Sequence, residues 1–267
     1  MQLGARYLDA RVDYESSTDK NGYHFYTYHQ VMGGPISVML QEVASFLSNK
    51  RKELIILEFG EMDTTVPFAN RLKNFIKMLK EELGDLIYKR SDDQRLGDKK
   101  LSEIVSNGPK VIILIDNESL WKNSHKPSSE RGSIGITDSD FELLWFKNDE
   151  YSDAYYDDDG DKEAMEKYLQ KAVDDYQNTP PMFKLQWLKP WKPGMTETSL
   201  YNVEEGVNDM LSDFLNQNQN KRLNVLFVDF FTESYAFEGA KQINQDLILK
   251  LGGNGTVTIN SVKQLSN

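Results

Sequence analysis

Three segments of this chain, 53–59 (ELIILEF), 110–115 (KVIILI) and 224–231 (NVLFVDFF), are apolar almost without interruption. A strand with one wet face alternates polar and apolar residues, whereas a strand covered on both faces does not. These runs therefore predict the central strands of a parallel sheet. Shorter strand-like runs at 6–12, 23–28 and 183–188, with a weaker one at 256–259, bring the number to seven. Helical spacing fills the gaps between them. Ile36, Leu40, Val43 and Leu47 share one helical face, as do Leu72, Phe75, Ile76 and Leu79. Further helices are expected over 163–176, 203–216 and 240–251, the last ended by Gly252-Gly253.

Alternating strands and helices define the α/β class. An open sheet and a closed barrel share this periodicity. The chain starts abruptly on a strand, and one more strand ahead of it would complete an eightfold set. The expected fold is thus a distorted TIM-type (β/α)8 barrel lacking its first strand here, a single domain over 1–267 with an acidic insertion at about 117–162.

Charge narrows the partners. The net charge of −11 argues against nucleic acid and against general attraction to anionic lipid. Between 138 and 166 there are twelve acidic residues against Lys147 and Lys162, so one stretch holds nearly all of the excess. Within it, DDDGDKEAME imitates a calcium loop, with Gly160 in sixth place, Asp157 and Asp159 in third and fifth, and Glu166 in twelfth. The first place falls on Tyr155, which offers no carboxylate, so the stretch is expected to be a solvated acidic loop running into a helix. With no cysteine there is no disulfide, thiolate metal site or thiol nucleophile. The apolar run at 111–115 is far shorter than the roughly 18 residues of a membrane span. The N-terminus also lacks the basic-then-apolar pattern of a signal peptide. These observations leave the compartment undetermined, with a secreted or peripheral membrane location among the possibilities.

Imidazole chemistry can come only from His24, His29 or His125. His125 lies in a polar Ser- and Pro-rich loop and is expected at the surface. His29 falls where its strand ends, a place where barrels build active sites, and is either an active-site group or a hydrogen-bonded structural one. Asp9 and Arg11, two apart, share a strand face. They form either a structural ion pair or an arginine that neutralises an anion beside its carboxylate. Glu58 and Asp229 are carboxylates at the ends of very apolar strands, where a buried charge needs a partner. Trp187 and Trp191 stand among prolines and lysines, Lys189 included. They either touch a lipid interface or cover the barrel rim, and the rim is preferred.

Together, LGARYLDARV, HQVMGGPISVMLQEVASFLSNKRKELIILEF and NVLFVDFF resemble, in order, the X domain of phosphatidylinositol-specific phospholipase C and its bacterial relatives. The resemblance implies a phosphoric diester hydrolase or lyase acting on a phosphatidylinositol-type lipid, with transient contact to a membrane surface. It makes His29 the general acid, Arg11 the group that stabilises phosphate charge and Asp9 its neighbour. Asp229 becomes the carboxylate that orients a general-base histidine. Glu58, Glu61, Trp187 and Lys189 are then expected to contact substrate. An arginine at position 11, where metal-dependent relatives carry a calcium ligand, implies no metal and no cofactor. The sequence departs from the pattern at three places. It has no His-Asp-Ser-like segment to supply the base, Gln30 follows His29, and Gly60-Glu61 and Asp116 or Asn117 stand where basic residues are expected. The rival reading is a non-catalytic binding domain that has lost its base. A glycerophosphodiesterase-like barrel would need a Glu-x-Asp metal cage, which Asp9-x-Arg11 does not provide.

Overall fold

The computed structural model describes residues 1, 4–29, 31–49, 52–60, 68–90, 95–126, 136–158, 161–178, 181–189, 200–229, 231 and 234–250. These fall into two compact units, one containing 6–150 and the other 151 onward with 2–5. The fold is mixed α/β of the TIM type, and among the described residues its strands form two sheets and no closed barrel. The weak strand expected at 256–259 lies outside the described residues.

In the first unit, β1 (Tyr7–Tyr14), β4 (Leu54–Gly60), β5 (Lys110–Asp116) and β6 (Leu144–Phe146) run parallel. The sheet continues through β2 (Phe25–His29) and β3 (Val31–Pro35), giving the order β3-β2-β1-β4-β5-β6. Here the all-parallel expectation fails, because β2 is antiparallel to both neighbours. The link from β1 to β2 is only 15–24, too short for the dozen or more residues of a crossover, so the chain turns back as a hairpin. Between Tyr26 and Tyr28 the β2–β3 register shifts, with an extra residue on the β3 side. Gly33 lies in that bulge, and a Cβ there would run into the Thr27 hydroxyl. Glycine is the residue the bulge accommodates.

One face of this sheet is apolar. Ala10, Val12, Ile55, Leu57, Phe59, Val111, Ile113 and Ile115 pack against α1 (Ile36–Leu47) and α2 (Phe68–Leu83). The helices contribute the faces read from their spacing: Ile36, Leu40, Val43 and Leu47 from α1, and Leu72, Phe75, Ile76 and Leu79 from α2. Phe75 meets both Phe25 and Phe59 edge-on, each with ring centroids 5.1 Å apart.

The second unit has a parallel sheet, β7 (Tyr151–Tyr155), β8 (Met182–Trp187) and β9 (Val225–Val228). Its core joins Phe183, Leu185 and Trp187 to α7 (Lys162–Asp175), α8 (Leu200–Gln217) and α9 (Ala236–Lys250). The acidic stretch is therefore not simply a solvated loop. It supplies β6 and β7, together with the short helices α5 (Asp138–Phe141) and α6 (Lys147–Glu150). Asp140 accepts from the Thr137 amide at 2.8 Å and pairs with Lys80. Asp161, a residue of the calcium-like motif, instead caps α7 by accepting from the Ala164 amide at 2.9 Å. Two shorter helices, α3 (Leu101–Ile104) and α4 (Glu118–Ser124), complete the described helices.

Removing the ring that bridges sheet and helix tests this packing. Phe75→Ala is expected to destabilise the chain by about 3–5 kcal/mol, measured by urea denaturation. A cost below ~1 kcal/mol would contradict the packing described.

Candidate functional site

The polar chemistry of the first unit sits on the sheet face turned away from α1 and α2. In the parallel ladders Asp9 is level with Glu58, Arg11 with Gly60, and Gly60 with Asp116. Residues level with each other share a face, so the sequences Tyr7-x-Asp9-x-Arg11, Ile56-x-Glu58-x-Gly60 and Ile112-x-Leu114-x-Asp116 lie side by side. Along β4 and β5 this face changes from aliphatic to charged towards the C-terminal end. That end is where α/β folds place their sites.

Glu58 is the costly member of the row, being only 2% exposed. Its carboxylate accepts from the Tyr7 hydroxyl and lies 3.3 Å from the Lys147 ammonium. Lys147 also donates to Asp116 at 2.9 Å. A buried carboxylate is tolerable when an opposite charge and hydrogen bonds compensate its desolvation, and Lys147 and Tyr7 provide both. Sequence reasoning missed Lys147. It lies inside the acidic stretch, and its one signal is its position directly after the apolar LWF of β6.

Asp9 and Arg11 are exposed on the same side of β1, as their spacing predicts. His29 is also exposed, but its place differs from the expectation in two ways. Because β2 is antiparallel to β1, its C-terminal end does not point to the rim reached by β1. The pair Val12↔Thr27 also fixes the alternation: Thr27 and His29 take the parity of Val12, whereas Tyr28 takes the parity of Arg11. The bulge does not change this, since the extra residue is on β3.

The remaining histidines have structural partners. His24 Nδ1 lies 2.8 Å from the Glu15 carbonyl, and its ring stacks on Tyr14 at 4.9 Å. His125 is at the surface, as expected, with Nδ1 2.9 Å from the Trp121 carbonyl. Asn117 accepts from the Leu120 amide at 3.0 Å and caps α4. Glu61, Gln30 and Trp191 lie outside the described residues.

In the second unit, Asp229 follows β9 directly, and its carbonyl accepts from the Asn208 amide group at 3.4 Å. Lys189 is half-buried just past β8. Trp187 neither touches an interface nor covers a rim. It is fully buried, donates its indole N–H to the Val207 carbonyl at 3.0 Å and lies against Phe214. Strand alternation explains this, since Phe183, Leu185 and Trp187 share the helix-facing side of β8. The opposite side carries Lys184, level with Asp153 on β7 and 1% exposed, with its ammonium 4.9 Å from the centre of the Phe227 ring. Asp153 and Tyr155 are polar positions the sequence reading passed over. The alternation of YSDAY is inconspicuous among so many acidic neighbours.

Charge gathered at the C-terminal strand ends of a parallel α/β sheet is the arrangement on which α/β folds build their sites. Among solved structures, the chain is similar to the phosphatidylinositol-specific phospholipase C from Listeria monocytogenes at 17% identity and a TM-score of 0.60, covering 91% of this chain and 79% of that one. It is also similar to an F249X mutant of the phosphatidylinositol-specific phospholipase C from Staphylococcus aureus, at 14% identity and a TM-score of 0.59, covering 85% and 74%. No family model and no curated protein matches the sequence. The likeness establishes a fold shared with these bacterial phospholipases.

The burial of Trp187 has a measurable consequence. Trp187→Phe leaves the Val207 carbonyl without its indole donor and is expected to cost about 1–3 kcal/mol of stability while leaving vesicle co-sedimentation unchanged. Loss of vesicle binding at unchanged stability would return Trp187 to an interfacial role.

Proposed function

We propose that this chain handles phosphodiesters in the manner of a phospholipase C, with Arg11 receiving the phosphate of a phosphatidylinositol-type lipid or a related diester. The observation that supports this most is the row Asp9, Arg11, Glu58, Asp116 and Lys147 on one sheet face, level with the C-terminal ends of β4 and β5, in a fold shared with such enzymes. Arg11 offers a planar, permanently charged fork suited to two phosphate oxygens. Asp9 on the same strand face favours that charge. In the reaction, a head-group hydroxyl attacks phosphorus, the bond to the diacylglycerol oxygen breaks, and that oxygen takes up a proton, the donor role that the resemblance gives to His29. The Arg11 guanidinium supplies positive charge without a metal ion, Lys147 being taken up by Glu58 and Asp116, so chelators should leave turnover unchanged. The proton of the attacking hydroxyl passes to solvent water.

The second reading, a binding domain without turnover, is favoured by one observation. The parity of His29 is that of Thr27 and Val12 and not that of Arg11. One pair of variants separates the two. For an enzyme, release of water-soluble inositol phosphate from phosphatidylinositol vesicles falls by about 10²–10³ in Arg11→Gln and by about 10²–10⁴ in His29→Ala. For a binding domain, Arg11→Gln weakens vesicle co-sedimentation, His29→Ala does not, and no variant releases product. Unchanged binding and unchanged release in Arg11→Gln would remove both.

A further inference from the structure

Helix α6 is a single turn, Lys147-Asn148-Asp149-Glu150, and three of its four side chains are tied to different parts of the first unit. Lys147 reaches Asp116 at 2.9 Å and Glu58 at 3.3 Å. Asp149 accepts from the Trp121 indole N–H at 2.7 Å, with Arg90 at 3.8 Å and His125 Nε2 at 3.6 Å. Glu150, only 3% exposed, accepts from the Leu96 amide at 2.6 Å and so fastens α6 to the turn at 96–98. A turn of this length rises about 6 Å, so a shift at one end is felt at the other.

Several groups face the Glu150 carboxyl. Asp149 on its own helix disfavours its charge, whereas the Leu96 amide, Arg90 and Arg95 favour it. Burial outweighs these and, with Asp149, pushes the carboxyl up to about 7.

We propose that Glu150 is a positioning residue acting through α6: protonated, it keeps α6 on the 96–98 turn with Lys147 seated between Glu58 and Asp116, and ionised, it loosens that hold. The direction follows from linkage. The docked arrangement binds the proton more tightly than an ordinary glutamate, so docking is strongest below pH 4.5 and weakens as the pH rises to about 7. This extends the reading of the same charged row given above, and its test requires no substrate.

The test follows the Leu96 amide and the Trp121 indole N–H of the full chain by NMR hydrogen exchange between pH 5 and 8, after correction for intrinsic exchange. Protection of both is expected to fall by up to about a hundredfold as the pH rises. Glu150→Gln keeps a carbonyl for the Leu96 amide and should hold protection level across the range. Lys147→Met removes the far anchor and should move the loss of protection to lower pH, because coupling between two sites is reciprocal. Flat protection in the unaltered chain, or an unchanged fall in Glu150→Gln, would overturn the role of Glu150. An unmoved transition in Lys147→Met would overturn the coupling. Since none of these signals depends on phosphodiester cleavage, a failure here is distinguishable from a failure of the functional reading.

Discussion

An ammonium shared by two carboxylates sustains the charged face of the first unit. Glu58 is buried on β4 among aliphatic strands, a position that an isolated carboxylate could not hold at neutral pH. Lys147 supports it from β6's end, two strands away, and the Tyr7 hydroxyl does so from β1 on the other side. The ion pair thus reaches across the sheet and sets where charge can stand beside Asp9 and Arg11. In this fold the chemistry of the face depends on a residue outside the motif that first draws attention to it.

The buried runs on β4 and β5, and the α1 and α2 faces that cover them, were legible from periodicity, because continuous burial leaves a direct signature in residue type. The direction of β2 was less accessible. Its residues satisfy a strand in either orientation, and only the short link from β1 decides between them. That single fact changes the placing of His29, which the strand-end argument had put on the rim reached by β1. Asp9 and Arg11 did not suffer in this way, since two residues on one strand share a face whatever the neighbouring strands do.

Composition was misleading where it was most extreme. The acidic stretch reads as solvated, yet Asp140, Asp149 and Glu150 each hold a structural partner, β6 lies among them and β7 follows directly. Net charge averages over such positions and hides the alternation that marks a strand. Trp187 shows the converse. Its proline- and lysine-rich surroundings resemble an interface, while its own parity on β8 commits it to the core.

The bulge at the margin of the larger sheet has a consequence for solubility. Among the described residues β3 ends the strand order, and Val31 on it is 75% exposed, so a flat ladder there would offer a row of amides and carbonyls to an extended peptide. The extra residue beside Gly33 breaks that row after a few positions and twists what remains. A bulge so placed makes the hairpin margin a poor template for the addition of a further strand.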